Sequence, residues 1–442
     1  MAAGRPSRRR HLAVWMNGEL VGTWSLSAAG DHVFGYARSW LDSRYARALS
    51  LSIPLEVGTE PVTGPRVGHF FDNLLPDSTQ IRQRLAQRFH TGTQTLELLE
   101  KIGRDCIGAV QLLPMSEQPT DVHTIKAQPL TQEEVEKLLV QASSSTVAWE
   151  EEDELRISLA GAQEKTALLW HENQWCRSLG ATPTTHILKL PLGVVGGMRA
   201  DFSTSVENEW LCAQIAREFD LPVANCHIEV FGAQKALVVE RFDRRLINNT
   251  WWARLPQEDF CQVYGLPSSQ KYERDKGPGM AQILKTLRGS DVAQQDRQRF
   301  LTTQLLFWLL AAPDGHAKNF SIRLEARGSY RLTPLYDILS AWPVIGKGSN
   351  QFQWQDMKLA MAVRGRDAHY HMDKIQRRHW NQAARDNGLG EDFEAVIQQV
   401  IARTPEVVER LSKQLPPGFP DKVSEPVFKG LLAQAKRLAQ QA

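Results

Sequence analysis

The chain has 442 residues, 42% hydrophobic and 23% charged, with a formal net charge of +2. That length gives two to four domains and ample core, and the near-neutral balance excludes a global nucleic-acid footprint, leaving only local patches for DNA. Five scattered cysteines, Cys106, Cys176, Cys212, Cys226 and Cys261, with no C-x-x-C pair, argue against a disulfide framework or a cysteine zinc site and for a reducing cytoplasm.

Residues 1–10 are basic, with Arg5 and Arg8 to Arg10, and read as a frayed tail or as a nucleic-acid arm. The apolar run behind them stops at Met16, too short for a signal-peptide core, and no stretch approaches a membrane span. Asn17-Gly18 between two alternating runs is a hairpin signal. Strand-like pieces follow at 33–36 and 49–55. A helix from Val67 is ended by Pro76, Asp77 caps a second from Ser78 to Phe89, and a third from Gln94 stops at Gly103. Gly108 to Pro114 returns to strand. Residues 1–114 read as a small β-rich domain with a helical lobe. Residues 115–150 read as a linker with one helix, opened by the capping box Thr131-Gln-Glu-Glu134, before an acidic run from Trp149 to Glu154.

Next comes strand, polar turn, strand, with Ala160-Gly161-Ala162-Gln163-Glu164-Lys165 as the turn. Successive backbone N–H groups at such a turn can cradle phosphate oxygens. A plain hairpin is the other reading, because Leu159 and Glu164 stand where a Walker A motif needs glycines. Lys189, inside the apolar strand from Thr184, must snorkel or find a partner. The helix from Ser205 to Phe219 carries Glu207, in a capping box with Thr204, and Glu209, the candidate partner of Lys189. Strands at 226–232 and 236–240 lead to Glu240-Arg241-Phe242, where backbone can hydrogen-bond a nucleotide base.

An apolar helix from Asp291 to Ala312 runs into Asp314-Gly-His316-Ala317-Lys318-Asn319. Asp and Asn five residues apart match the protein-kinase catalytic loop, where the Asp takes a hydroxyl proton and the Asn holds a metal. Asp337, in Leu335-Tyr336-Asp337, is a candidate second metal-holding carboxylate. Helices follow over 374–384, 392–403, 405–414 with Pro405 at its first position, and 425 to the end. Lys374, Arg377, Arg378 and Arg385 are a basic face, solvated or DNA-facing. His369, His371 and His379 lack a nearby acid pair and make a poor metal set. Phosphate turn, strand lysine, helix glutamate, hinge, Asp…Asn loop and metal Asp stand in the order of a kinase from N-lobe to C-lobe.

Several longer motifs carry a resemblance: Phe70-Phe-Asp-Asn-Leu-Leu-Pro-Asp-Ser78, Ile157 to Thr166, Thr182 to Pro191, Glu240-Arg-Phe-Asp-Arg-Arg245, Leu255-Pro-Gln-Glu-Asp259, Asp314 to Phe320 and Leu332 to Asp337. On these the chain resembles, over nearly all its length, the HipA family of bacterial serine/threonine kinase toxins of type II toxin–antitoxin modules. The resemblance implies an α+β, kinase-like two-lobed fold: a β-rich N-terminal domain (1–114), a linker (115–150), an ATP-binding region (151–255) and an all-helical C-terminal lobe (256–442). It implies ATP and Mg²⁺, with Asp314 as catalytic base and Asn319 and Asp337 on the metal. Lys189 would bind the ATP phosphates, Ala160 to Lys165 form the phosphate loop, and Glu240, Arg241 and Phe242 form the hinge. His316, Ala317, Lys318 and Tyr336 complete the cofactor set. Ser158 matches a serine that family members phosphorylate on themselves, which switches them off. The implied partners are a helix-turn-helix antitoxin of the HipB type, operator DNA through that complex, and a protein substrate of the aminoacyl-tRNA synthetase class. The chain departs from ordinary protein kinases in having His316 two residues after the Asp, and neither H-R-D nor D-F-G. A small-molecule kinase of the aminoglycoside or sugar type and a catalytically idle corepressor stay open as alternatives.

Overall fold

The computed structural model describes residues 11–55, 58–143, 157–161, 163–197 and 199–441. The basic tail, the acidic run at 149–154 and Ala162 of the polar turn lie outside them. A five-stranded antiparallel sheet opens the chain, in the order Val62–Thr63, His32–Tyr36, Glu19–Leu26, His11–Met16, Val110–Pro114. Its first hairpin turns through Asn17 and Gly18, both at positive φ (47° and 87°), as the tight turn between twisted strands requires. Helices Pro65–Asp72, Thr79–Arg88 and Thr95–Ile102 cover one face, and Trp24 stacks on Phe71 with ring centroids 4.0 Å apart.

Two local readings change. Ser78, not Asp77, caps the second helix, accepting from the Ile81 N–H. Residues 49–55 form no strand, because docking on the rest of the molecule takes up their polar groups. The Leu51 N–H and Ser50 hydroxyl bond the Glu258 carboxyl at 2.8 and 2.5 Å, and the Ser52 hydroxyl bonds Gln262 O at 2.8 Å.

The second sheet has six strands, in the order Cys226–Phe231, Gln234–Glu240, His186–Lys189, Lys165–His171, Gln174–Ser178, Ala127–Pro129. Its last strand and helix Gln132–Ser143 come from the stretch read as linker. That helix begins with the expected capping box, Thr131 N–H to Glu134 and Glu134 N–H to Thr131 Oγ1, and buries Val135, Leu138 and Leu139 against Leu168, Leu188 and Val238. The polar turn at Gly161 is not a hairpin. Ile157–Ser158 pairs in parallel with Asp105–Cys106 of the first domain, while Lys165–His171 belongs to the six-stranded sheet. The turn therefore crosses from one domain to the other.

The C-terminal part packs helices Met280–Thr286, Ala293–Leu309, Arg377–Asp386, Glu394–Gln414 and Asp421–Gln440 around a core that includes Trp308 and Trp380. It is not all helical. Gln257–Asp259, Ser321–Leu324 and Tyr330–Leu332 form a three-stranded sheet, and Lys358–Arg364 pairs with Ala368–His371. Pro405 starts no helix, since one helix, Glu394–Gln414, runs through it. Val396, Ile397, Val400, Val407 and Leu411 keep the helical period across the proline, and burying that stripe offsets the roughly 3 kcal/mol that an interior proline costs.

The first domain is tied to the second by a buried charge network. Asp105 accepts from Thr184 N and Oγ1, Arg241, Arg244 and Arg254, and Asp243 from Arg241 and the Gly108 N–H. The hairpin turn adds a reciprocal pair, Asn17 Nδ2 to Arg254 O at 2.9 Å and Arg254 N to Asn17 Oδ1 at 2.8 Å.

Candidate active site

A cleft of about 820 Å³ opens between the six-stranded sheet and the C-terminal part. Strand His186–Lys189 ends at it, and Lys189 is buried with its ammonium inside. Lys189 Nζ donates to Glu209 Oε1 at 2.6 Å and to Asp337 Oδ1 at 2.8 Å. Glu209 stands where the sequence argument puts it, on a helix face turned to the sheet. Glu207 makes no capping box with Thr204 and pairs with Lys235 instead. Burial alone would drive a lysine's pKa down; facing two carboxylates, Lys189 is pushed above its ordinary value. Burial raises Glu209. Asp337 goes the other way: burial is outweighed by Lys189 and Lys165, which hold it below the usual carboxylate range. Asp337 also sits at φ 62°, a left-handed conformation that a non-glycine residue adopts at a cost and that clusters at functional sites.

Lys165 is the cross-strand neighbour of Lys189. Burial lowers its pKa to about 8, with Lys189 opposing its charge and Asp337 and Glu209 supporting it. A Cβ on Gly161 would stand 2.7 Å from Lys165 Nζ, and Gly161 has φ +105°. Both the positive φ and the close approach of the lysine favour glycine at this position. Ala160, Gly161 and Gln163 line the cleft, whereas Glu164 turns away and pairs with Arg84 of the first domain. Ser158 is fully buried, and its hydroxyl donates to Leu74 O at 2.7 Å.

Helix Ala293–Leu309 delivers the loop with Asp314. His316 N donates to Asp314 O at 2.8 Å and Asn319 Nδ2 to the same oxygen at 2.7 Å, closing the loop on itself. The Asp314 side chain is 54% exposed and lines the cleft. His316 is buried with Nε2 3.7 Å from Asp314 Oδ1, and burial lowers its pKa. Tyr272, which no periodicity or motif singled out, donates its hydroxyl to Asp314 Oδ1.

Not every expected cofactor residue reaches the cleft. Ala317 is fully buried and its N–H bonds Lys271 O. Lys318 borders the cleft, yet its ammonium is taken by Asp77 Oδ1 (2.9 Å) and Asn73 Oδ1 (3.0 Å) of the first domain. The Arg241 side chain is buried in the Asp105 network and Glu240 points outward to Asn225, so neither side chain serves the cleft; their N–H groups bond Thr185 O and Asn225 O. Phe242 and Tyr336 face each other with centroids 5.8 Å apart, beside Ile187 and Val239. These make an apolar slot suited to a flat base. Tyr336 donates its hydroxyl to Lys318 O at 2.9 Å.

Sequence comparison matches residues 157–408 to the HipA-like C-terminal domain and residues 12–113 to the HipA N-terminal domain. The chain belongs to the HipA family. The putative kinase Y4mE of Sinorhizobium fredii is 31% identical to it over 388 residues, 86% of this chain and 86% of that protein. The serine/threonine-protein kinase toxin HipA of Shewanella oneidensis is 28% identical over 436 residues, covering 94% and 91%. The solved structure of Shewanella oneidensis HipA with HipB and operator DNA superposes with a TM-score of 0.79 at 24% identity, over 97% of each chain. This HipA-family chain is thus a kinase with the family's two-lobed, kinase-like fold. No helix among its described residues is long and apolar enough to cross a membrane.

The basic face at the C-terminus is largely committed within the chain. Arg377 pairs with Glu394, Arg385 bonds Glu391 O, and Lys374 lies 3.0 Å from Asp373. The rings of His369 and His379 stack at 3.8 Å.

Proposed function

We propose that this chain is an ATP- and Mg²⁺-dependent serine/threonine-protein kinase and the toxin of a toxin–antitoxin module. One observation carries the reading: Lys189, held by Glu209 and Asp337, faces the same cleft as the exposed carboxylate of Asp314. Strand lysine, helix glutamate and metal-side aspartate are the parts a kinase needs in place together.

The residues present fit a magnesium ion. Asn319 has Nδ2 committed to Asp314 O, and Asp337 has Oδ1 committed to Lys189, so each has an oxygen left, and oxygen donors suit this ion. When bound, the ion neutralises charge on the phosphates. Lys189 and Lys165 place two cations where phosphate oxygens would lie, with the backbone of Ala160, Gly161 and Gln163 above them. The Phe242–Tyr336 slot takes the adenine and the hinge backbone at 240–242 holds its edge. Asp314 accepts the proton of the acceptor hydroxyl as the new O–P bond forms and the bond from the γ-phosphorus to the bridging oxygen breaks, with ADP as the leaving group.

The toxin reading is supported by the named Shewanella relative and by its solved complex with HipB and operator DNA. In this reading a HipB-like helix-turn-helix antitoxin docks on the N-terminal domain, and the pair represses its own operon in the cytoplasm. The acceptor is a translation-related protein of the aminoacyl-tRNA synthetase class, whose modification arrests growth. Ser158 is the self-inactivating site, and its burial means that residues 157–158 must leave the strand at 105–106 before phosphate can be added.

Phosphoproteomics after a short pulse of expression, wild type against Asp314→Asn, tests this. New phosphoserine or phosphothreonine on proteins, Ser158 included, is expected with the wild type alone. Equal protein labelling by the Asn variant, or label found only in small molecules, would overturn it.

A further inference from the structure

The segment Phe70 to Ser78 lies far from the kinase motifs in sequence, yet three of its residues, Asn73, Leu74 and Asp77, border the cleft. Asp77 is 13% exposed at its side chain and makes three contacts that converge on the active site. Its N–H donates to Gly161 O at 3.0 Å, at the apex of the phosphate turn. Its Oδ1 accepts from Lys318 Nζ at 2.9 Å, in the catalytic loop between Asp314 and Asn319. Its Oδ2 accepts from Lys271 Nζ at 2.9 Å, next to the Tyr272 that bonds Asp314. Asn73, also buried, supports the arrangement: its Oδ1 accepts from Lys318 at 3.0 Å while its Nδ2 donates to Leu266 O and His69 O.

Resting on the kinase reading above, we propose that Asp77 is a positioning residue for phosphotransfer. From the N-terminal domain it joins the phosphate turn to the catalytic loop, so that the two cannot drift apart. Lys318 is nearly inaccessible, its side chain 4% exposed, and needs a carboxylate for its charge. With Asp77 neutralised, the remaining acid is Asp259, whose Oδ2 lies 4.0 Å away. Turning toward it drags Ala317–Asn319 and moves the Asn319 side chain relative to Asp314. A shift of about 1 Å in such a group costs on the order of 10²-fold in rate. Nucleotide binding rests on Lys189, Lys165, the phosphate turn and the Phe242–Tyr336 slot; the turn is held by the Asp77 backbone N–H and not by its carboxylate, so removing the charge alone leaves binding in place.

The test uses the full chain. Asp77→Asn keeps the shape and the backbone bond to Gly161 but removes the charge. Its kcat for transfer from ATP to protein is expected to fall about 10²-fold, with the affinity for a fluorescent ATP analogue unchanged. Asp77→Glu, which keeps the charge, is expected to recover part of that loss. Lys318→Met fills the same volume without the ammonium and is expected to reproduce the loss, and the double variant to be no worse than either single one. Wild-type kcat in Asp77→Asn, or in Lys318→Met should the first variant not fold, would overturn the proposal even if the melting temperature drops. So would additive losses in the double variant. A wild type that transfers no phosphate to protein refutes the kinase reading instead, so the two failures are distinguishable.

Discussion

Replacing Asp105 with asparagine tests what holds the two domains together. Asp105 lies 5% exposed at the junction and accepts from Thr184 Oγ1 at 2.7 Å, Arg244 at 2.8 Å, Thr184 N at 3.0 Å, and Arg241 and Arg254 at 3.3 Å each. With Asp243 it balances three buried arginines, two negative charges against three positive ones. The substitution leaves one carboxylate against three guanidinium groups in the same volume. Breaking a buried ion pair on one side costs about 3–5 kcal/mol; asparagine keeps an oxygen for Thr184, so the low end, about 3 kcal/mol, is the expected loss. Burial would raise the Asp105 pKa, but the arginines hold it well below the ordinary carboxylate range. A folded pKa depressed in this way gives stability that is present above the unfolded value, about 3.9, and is lost as pH falls toward the folded one. Urea unfolding followed by tryptophan fluorescence should therefore show a full gap between wild type and variant at pH 7 that narrows below about pH 4. Asp121→Asn is the control, since its pair with Lys126 is exposed on both sides and such pairs contribute under about 1 kcal/mol. A loss for Asp105→Asn no larger than the control's, or a gap that ignores pH, would refute the network as the joint.

Lys189→Met removes the cation between Glu209 and Asp337 and should lower phosphotransfer at least about 10²-fold and, by leaving buried Glu209 unpaired, stability by about 3 kcal/mol, as measured by radiolabel transfer and thermal melting. Lys165, with its pKa lowered to about 8 by burial, is charged below that pH; nucleotide affinity should weaken as pH rises through about 8, and Lys165→Gln should flatten the profile in a fluorescent-nucleotide titration. Tyr272 donates to Asp314 Oδ1, where an acceptor hydroxyl would sit in the proposed role of Asp314 as base. A hydrogen bond to a charged group contributes about 1.5–3 kcal/mol, so Tyr272→Phe should lower the KM for a protein acceptor by about tenfold or more, and an unchanged KM would show that the hydroxyl does not compete.

The legible part of the site consists of residues whose job forces an unusual sequence pattern. A lysine in an apolar strand demands a partner, and Glu209 is found at 2.6 Å from Lys189. An acid at the end of an apolar helix, with an asparagine five residues on, announces a polar loop whatever surrounds it. Both signals are local, and so are the Asn17-Gly18 turn and the Thr131 capping box. Errors arose where tertiary contact overrode a local signal. Pro405 reads as a helix start, yet the buried stripe from Val396 to Leu411 carries the helix past it. Gly161 reads as a hairpin apex, yet the strand before it pairs with residues 105–106, a contact that no period in either segment encodes.

Lys318 shows the same limit inside the active site. The resemblance places it in the cofactor-binding set, but its ammonium turns to the space behind the loop. The space is filled by the turn after helix Pro65–Asp72, which presents Asp77 and Asn73 across 241 and 245 residues of chain. In the sequence Asp77 looks like a helix cap, because an acid before Ser-Thr at a helix start is a common cap signal. Ser78 takes the cap, and that frees the Asp77 carboxylate to face Lys318 and Lys271. A one-residue shift in capping thus turns an ordinary helix start into a contact with the catalytic loop. The N-terminal domain is therefore not an appendage on the candidate site: its strand at 105–106 pairs with the residues entering the turn at Gly161, its Asp77 bonds that turn and Lys318 of the Asp314 loop, and its Arg84 takes the side chain of Glu164.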